Sequence, residues 1–302
     1  MSWADLIIQG ALLGGYYALL AGGLSFLYGV MRVINLAHGS LAVVSAYAFW
    51  VLAEQWQVSP VVVALALLPL MSIVGWLLYR LVFERSLHGG TLIPILSTFG
   101  LATVLDNVLF QNFGADTRSL APYFDTLAYD SWTLPGGINV GQLAVIEFVL
   151  ALLVLGGLHL LLMRTSLGRQ IRATSEDEDA ARIVGINTRR VHAAATAMAF
   201  GMVAAAGIAL GLRATFDPYA GAQQLIFAFE AVVMGGAGSL WGTLVGGVTL
   251  GIAQSVGARI NPQGFLIAGH LTFLAVLLAR ISLGGQLHSL LAIQRARSQG
   301  RR

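Results

Sequence analysis

Long apolar segments recur along almost the whole chain, and they limit its fold more than any other feature. A helix needs about 20 mostly apolar residues to cross the hydrocarbon core of a bilayer. Only 10% of the residues are charged, against roughly 25% in soluble domains, and the runs are too continuous for the alternating strands of a membrane barrel. The sequence therefore predicts an all-α fold, a polytopic transmembrane helical bundle. The predicted segments are residues 6–30, 36–52, 58–82, 91–110, 140–163, 191–212, 240–256 and 265–283.

A ninth apolar segment, residues 224–234, is too short to span a bilayer comfortably. Such a segment is tolerated as a broken or re-entrant helix only where protein or water surrounds it. The sequence thus predicts eight or nine membrane segments in one transmembrane domain, residues 1–285, which includes a cytoplasmic loop at 164–190. A basic cytoplasmic tail is predicted at 286–302.

The distribution of arginine predicts how the bundle is oriented. All 17 basic residues are arginine, and only Arg118, Arg213 and Arg259 fall outside the C-terminus and the alternate loops that hold the rest. Because cytoplasmic loops carry the excess of positive charge, we expect the N-terminus outside and the C-terminus in the cytoplasm. This arrangement requires an odd number of crossings and places residues 111–139 in an outer loop.

Polar residues lie between the first two apolar segments, in "GVMRVINLAHGSL". Asn35 and His38 are expected to begin the second helix and, three residues apart, to share a face, with Gly39 beside them. Because polar groups are costly against lipid, they should face protein or water. Two interpretations remain open: a helix-start cap with an interfacial histidine, or residues that line or brace a solute pathway.

The cytoplasmic loop contains a predicted short helix. Ser175 and Glu178 fit the S-x-x-E capping box, the acidic run 176–179 suits the positive end of a helix dipole, and Gly185 is a natural stop. The helix could rest on the membrane surface, but anionic lipid would repel its acidic first turn, which favours a protein partner. The residues of this predicted coupling helix are Ser175, Glu178, Asp179, Ala180, Ala181 and Gly185.

Ionisable and hydroxyl groups inside the predicted membrane segments are candidates for a solute pathway. A zwitterionic solute needs acceptors for its ammonium group, which Asp106 and Glu230 could supply. It also needs donors for its carboxylate, which the N-termini of broken helices near the 235–242 turn could supply. Ser97 and Thr98 add hydroxyl groups. The alternative for each carboxylate is an interhelical hydrogen bond.

Glycines at Gly235, Gly236 and Gly238 predict a helix break with close backbone packing. They do not form a phosphate-binding loop, because the chain has no lysine and no G-x-x-x-x-G-K-[ST] pattern. The chain also has no cysteine, which excludes thiolate chemistry, and its histidines have no spacing typical of a metal site. We expect no enzymatic activity, no cofactor and no metal.

Three stretches resemble a known family. "DAARIVG" at 179–185 resembles the E-A-A loop of ABC importer permeases, with Asp179 in place of glutamate. "GLSFLYGVMRVINLAHGSL" and "GGAGSLWGTLVGG" resemble two stretches of the branched-chain amino acid permeases of the LivH type. The chain departs from the family at Ser40, where members often have glutamate, and at "LDN", residues 105–107, where they often have "L-Q-N".

The resemblance implies a permease subunit of a binding-protein-dependent ABC importer in a bacterial inner membrane. It would carry branched-chain amino acids or a similar small polar solute inward. Urea, amides and aromatic acids stay open as solutes. The implied partners are a second homologous permease, ABC ATPase subunits that dock on the coupling helix, a periplasmic solute-binding protein and the lipid bilayer, but no nucleic acid. The alternative is a self-contained secondary transporter that uses the membrane carboxylates Asp106, Glu147 and Glu230.

Overall fold

The computed structural model describes residues 3–90, 92–124, 126–134 and 138–299. A small antiparallel hairpin, β1 (Ser131–Leu134) and β2 (Ile138–Gly141), accompanies the helices. The helices are α1 (Trp3–Met31), α2 (His38–Trp50), α3 (Pro60–Leu78), α4 (Glu84–Ser86), α5 (Leu92–Phe113), α6 (Thr126–Tyr129), α7 (Gln142–Arg164), α8 (Ser166–Glu176), α9 (Glu178–Ile183), α10 (Thr188–Arg213), α11 (Gly221–Gly235), α12 (Leu240–Ile260) and α13 (Gly264–Gln299).

The prediction of an all-α membrane bundle is confirmed. Among the described residues, seven helices are long and apolar enough to cross a membrane: α1, α3 with its extension to Ser86, α5, α7, α10, α12 and the Gly264–Ser282 part of α13. A π-helical turn at Val51–Gln55 continues α2. Another at Tyr79–Phe83 joins α3 to α4. Of the predicted basic tail, the α13 backbone is described to Gln299, and residues 300–302 lie outside the described residues.

The bundle has two distinct ends. At the arginine-rich end, Met31, Glu84, Arg182 and Arg189 line one cavity and so bring together the ends of α1, α4, α9 and α10. The opposite end, which we call the hairpin end, holds the β-hairpin and the segment before it. There the backbone N–H of Arg118 donates to the carbonyl of Phe216, at 2.8 Å. The long helices connect these two ends.

The second predicted segment, 36–52, is not one full-length helix. Its helix begins only at His38, whose Nε2 lies 2.7 Å from the carbonyl oxygen of Leu20. Leu20 is in the middle of α1, about 16 Å along the helix axis from Met31. Residues 32–37 therefore return from the arginine-rich end into the bundle, and α2 spans only the half of the bundle nearer the hairpin end. The Leu36 and Ala37 N–H groups of this return segment donate to side chains inside the protein, which makes non-helical backbone tolerable at this depth.

The short segment at 224–234 belongs to a second half-helix, α11. Its first turn lies against the middle of α1, where the Tyr16 hydroxyl donates to Gln224 Oε1 at 2.6 Å. Its last turn lies at the arginine-rich end, where Arg280 Nη2 donates to the carbonyl oxygen of Met234 at 2.8 Å. Residues 214–220 enter the bundle from the hairpin end and complete this crossing. The predicted short helix is thus real, and with α2 it raises the number of crossings to nine in the described chain.

Two parts of the chain repeat one arrangement in opposite directions. Each has a long helix, a segment that returns into the bundle, a half-helix and a second long helix: α1, 32–37, α2 and α3 in the first, and α10, 214–220, α11 and α12 in the second. In both repeats the half-helix packs on the long helix of the other repeat, α2 on α10 and α11 on α1. Inverted repeats of this kind are the common architecture of membrane transporters.

Glycine allows the central helices to approach closely. A Cβ on Gly14 would lie 2.3 Å from Val248 Cα, and one on Gly251 would lie 2.2 Å from the carbonyl oxygen of Gly10. Membrane helices associate through such small residues because lipid offers no hydrophobic driving force between helices. The α1–α12 pair therefore forms a rigid centre on which the half-helix α11 rests.

Candidate functional site

The two half-helices begin at the same place inside the bundle. A Cβ on Gly39 would lie 1.9 Å from the carbonyl oxygen of Gly221, and one on Gly221 would lie 2.6 Å from the Ser40 backbone nitrogen. Neither helix start is capped by a side chain, because both N-cap positions are alanine, Ala37 and Ala220. Two sets of N–H groups and two positive dipole ends therefore meet at mid-bundle.

A carboxylate lies beside this meeting point. The side chain of Asp106 on α5 lies close enough to that of Ser40 to interact with it, and within the described chain the buried Oδ1 of Asp106 has no hydrogen-bond partner. One turn further along α5, the ring of Phe110 lies 5.7 Å from that of Tyr219, which is 50% exposed. We call Gly39, Ser40, Asp106, Tyr219 and Gly221 the half-helix crossing. It combines donors, an acceptor and an aromatic face.

The face of α5 next to the crossing is polar and uncovered. Thr103, Asn107 and Gln111 are exposed and, at four-residue intervals, share one side of the helix. The amide nitrogen of Asn107 donates to the carbonyl oxygen of Thr103 at 2.8 Å, so part of its hydrogen-bonding capacity is met within α5. Polar side chains at membrane depth face protein or water rather than lipid. This α5 polar stripe therefore marks a surface that something other than lipid covers.

Asn35 and His38 hold the segment that precedes α2. The sequence predicted that Asn35 begins the helix, but Asn35 lies three residues before it. Its Oδ1 accepts from the Ala37 N–H at 3.0 Å. The neighbouring N–H of Leu36 donates to Thr98 Oγ1 on α5 at 3.1 Å. Asn35, His38 and Thr98 are all buried, whereas Ser97 is half-buried. The buried residues thus brace the return segment below the crossing.

Glu230 lies in another part of the bundle from Asp106. Its Oε1 is 2.5 Å from His270 Nδ1 on α13, and its side chain is 4% exposed. Glu147 likewise has a partner, since its Oε2 accepts from Arg213 Nη1 at 2.6 Å. Asp106 and Glu230 thus have different surroundings, and a pathway role for Glu230 stays a prediction. Both glutamates lie in interhelical pairs, the alternative considered from the sequence.

The glycine-rich turn is at the arginine-rich end and not at mid-bundle. Gly235 ends α11, Gly236 and Gly238 adopt φ of 96° and 86°, which favours glycine, and the Ser239 hydroxyl caps α12 by accepting from the Gly242 N–H. The helix break therefore occurs where predicted. The mid-bundle helix starts, however, are those at His38 and Gly221, because residues 32–37 and 214–220 re-enter the bundle.

The loop at 164–190, predicted to be cytoplasmic, forms two helices, α8 and α9. The predicted capping box at Ser175 is wrong, because Ser175 lies inside α8 and its hydroxyl donates to the carbonyl oxygen of Arg172. The cap of α9 is instead Asp177, whose extended backbone breaks the helix and whose Oδ1 accepts from the Ala180 N–H at 2.9 Å. A glycine with φ of 87°, Gly185, follows α9.

A hydrogen bond from Arg182 ties α9 to the bundle, and the end of α9 stays exposed. Arg182 pairs with Glu178 at 2.5 Å and donates from Nε to Thr188 Oγ1 of α10 at 3.1 Å. Ala181, a residue of the predicted coupling helix, is only 3% exposed, so its side chain packs on its own chain. Ile183 and Val184, which we call the α9 tip, are 86% and 74% exposed.

Comparison with known proteins agrees with this architecture. The family model for the permease component of branched-chain amino acid transport systems matches residues 6–281. The chain belongs to this family. The permease is a multi-pass membrane protein of a transport family and not of an enzyme family.

Several curated relatives share most of the permease's length. The high-affinity branched-chain amino acid permease BraD of Pseudomonas aeruginosa is 29% identical, over 84% of the permease and 86% of BraD. The corresponding permease LivH of Escherichia coli K12 is 28% identical, over 83% and 84% of the two chains. The fructose import permease FrcC of Rhizobium meliloti is 26% identical, over 80% and 69%. No solved structure matches the permease significantly.

Sequence reasoning missed Ser40, Tyr219 and Gly221 at the crossing. A signal for them exists. The two repeats carry "LAHG" at 36–39 and "YAGA" at 219–222, each with an alanine just before a short apolar helix and a glycine in its first turn. Short hydrophobic segments at corresponding positions of two halves indicate a binding site in transporters. Comparison of the two halves would have shown the crossing.

Proposed function

We propose that the permease is the membrane-spanning subunit of a binding-protein-dependent ABC importer. It carries branched-chain amino acids, or a similar small polar solute, inward, and separate ATPase subunits supply the energy. The observation that carries this proposal is the α9 tip: two large apolar side chains are exposed at the end of a short helix, and a hydrogen bond from Arg182 ties that helix to α10 of the bundle. Exposed apolar anchors of this kind are typical of protein interfaces. A periplasmic binding protein delivers the solute.

The attachments of α9 give it a route for transmitting force. Arg182 connects it to Thr188 at the start of α10, and Arg189, one residue further along, pairs with Glu84 of α4 at 3.3 Å. Movement of α9 by an ATPase therefore acts on α10 and α4 together. Because α10 packs on the half-helix α2, the same movement reaches the crossing at mid-bundle.

The half-helix crossing is the proposed point of solute contact. The amino acid carboxylate approaches the uncapped starts of α2 and α11, where N–H groups and dipoles favour an anion. The ammonium group approaches Asp106, and the apolar side chain meets Phe110 and Tyr219. A second homologous permease covers the α5 polar stripe and completes the pathway. The relatives BraD and LivH, both named for branched-chain amino acids, support this solute class.

Asp106→Asn is expected to reduce amino acid uptake by roughly tenfold or more, because a hydrogen bond to a charged group contributes about 1.5–3 kcal/mol. The measurement is initial uptake of a radiolabelled branched-chain amino acid in cells that carry the complete transporter. Asp116→Asn, in the loop beyond α5, is the matched control and should transport normally. Unchanged uptake by Asp106→Asn would rule out this carboxylate as the ammonium site.

The proposed orientation places the arginine-rich end in the cytoplasm. Reporter fusions after residue 302 should then give the activity of a cytoplasmic reporter, whereas reporters inserted in the loop 111–139 should give that of a periplasmic one. The reason is the excess of arginine at one end of the bundle. The reverse pattern would overturn the orientation and the role of the α9 tip together.

A secondary transporter is the competing function, and the two glutamate pairs weigh against it. Of the three candidate carboxylates, Glu147 is engaged by Arg213 and Glu230 by His270. A proton- or sodium-coupled carrier would continue to work without ATPase subunits. Uptake by the permease expressed alone would therefore support the carrier, and its absence, with recovery on co-expression of the ATPases, supports the importer.

A further inference from the structure

A basic cavity opens at the arginine-rich end, on the side of the bundle away from α5. Its volume is about 320 Å³, and it lies among the ends of α1, α7, α8 and α12. The side chains that define its chemistry are Phe26, His159, Arg172, Ser175, Ser239 and Trp241. Neither the solute pathway nor the α9 tip uses these residues.

The cavity is suited to an anion. Among the described residues, no acidic side chain lines it. The guanidinium of Arg172 donates a hydrogen bond from Nη1 to the sulfur of Met163 at 3.4 Å. It forms no ion pair with any described residue. The first turn of α12 also lines the cavity, with Leu240 and Trp241, whose N–H groups have no partner within the helix. Positive charge and free donors therefore converge on one space.

An apolar groove adjoins the cavity along the outer faces of α7 and α12. Both helices pack on α1 but touch each other little. Gly156 keeps the space between them open, since a Cβ on Gly156 would meet only Trp241 among the described residues, at 3.9 Å. Exposed apolar side chains flank this glycine, Leu153 and Leu160 on α7 and Trp241 and Val245 on α12.

We propose that the cavity binds the phosphate headgroup of an anionic phospholipid and that its acyl chains lie in the α7–α12 groove. A soluble anion would use the cavity alone, whereas the apolar groove that joins it at membrane depth matches a lipid. The rings of His159 and Trp241, 6.0 Å apart, lie where headgroup and hydrocarbon meet, which is the usual depth of tryptophan in membrane proteins. The leaflet concerned follows from the proposed orientation, and only this part of the inference rests on the proposed function.

The bound lipid would connect α8 to α12. Arg172 and Ser175 belong to α8, which leads directly into α9, while Ser239 begins α12. A headgroup held between them would fix the base of the cytoplasmic loop against the rigid α1–α12 pair. We therefore expect anionic lipid to stabilise this end of the permease.

The test is lipid binding by the full-length permease purified in detergent. Dioleoyl phosphatidylglycerol, dioleoyl phosphatidylcholine or inorganic phosphate is added, and bound molecules are counted by native mass spectrometry alongside thermal unfolding. Arg172→Gln removes the proposed phosphate contact and Arg172→Lys keeps the charge. Arg169→Gln is the matched control, since Arg169 is exposed on the same helix, one turn earlier, and does not line the cavity.

The wild-type permease should retain more phosphatidylglycerol than phosphatidylcholine. Arg172→Gln should bind phosphatidylglycerol about fivefold less tightly, as expected for the loss of one basic residue at an anionic surface. Arg172→Lys and Arg169→Gln should bind as the wild type does. Equal losses in Arg172→Gln and Arg169→Gln would overturn the site, as would absence of headgroup preference. Equal stabilisation by inorganic phosphate would show a soluble-anion site and contradict the proposal. None of these outcomes depends on ATPase coupling, so the importer function is tested separately.

Discussion

Ile183→Asp is expected to abolish solute uptake while the permease remains folded in the membrane. Ile183 is 86% exposed at the end of α9, so the change removes no contact from the bundle. In the proposed complex the side chain is an interface anchor, and losing such an anchor costs about 2 kcal/mol or more, which is roughly a thirtyfold loss of affinity. A buried aspartate adds a desolvation cost. The measurements are uptake in cells and co-purification of the ATPase subunits.

Ile260→Asp is the matched control for this variant. Ile260 is 82% exposed at the hairpin end, nearly the same exposure as Ile183. The two variants make the same chemical change at opposite ends of the bundle. It should transport and retain the ATPases normally. If Ile183→Asp retained the ATPases at the wild-type yield and transported normally, the α9 tip would not be the coupling site. Poor membrane insertion of Ile183→Asp alone would also contradict the view that the tip lies outside the bundle.

Gly39→Ala is expected to destabilise the permease more than any other single methyl addition near the crossing. The new Cβ would lie 1.9 Å from the carbonyl oxygen of Gly221. That atom is backbone and cannot rotate away, so α2 and α11 must separate. Overpacking of this kind costs about 3 kcal/mol. Thermal unfolding in detergent should show the loss, and uptake should fall with it because both helix starts are displaced.

Gly100→Ala on α5 is the matched control. Nothing lies within 4 Å of a Cβ at Gly100, and alanine in a helix interior is more stable than glycine by about 0.5–1 kcal/mol. The control should therefore unfold at the same temperature as the wild type or slightly higher. Wild-type stability of Gly39→Ala would mean that the two half-helices do not touch as described.

Much of this fold follows from local sequence properties. Apolar length alone predicted the membrane helices, because a helix that satisfies its own backbone is the one stable state for such segments in lipid. The end of α9 near Gly185 also followed from local sequence, since a backbone turn with positive φ favours glycine. The motif "INLAHG" indicated a family, but it did not reveal that Asn35 lies outside the helix. The predicted cap at Ser175 was wrong because α8 continues to Glu176, so that Asp177 caps α9 instead.

Tertiary structure alone decided the candidate site. A short apolar segment can span, re-enter or pack on the surface, and only its neighbours settle which. Contacts with the middle of α1 place the starts of α2 and α11 at the same depth. A long-range contact also gives Glu230 different surroundings from Asp106, because Glu230 pairs with His270, forty residues further along the chain. The sequence by itself determined that the chain spans a membrane and where most helices lie, since these depend on properties of neighbouring residues. The meeting of Gly39 with Gly221 depends on residues far apart in the chain, so only the packed bundle could establish it.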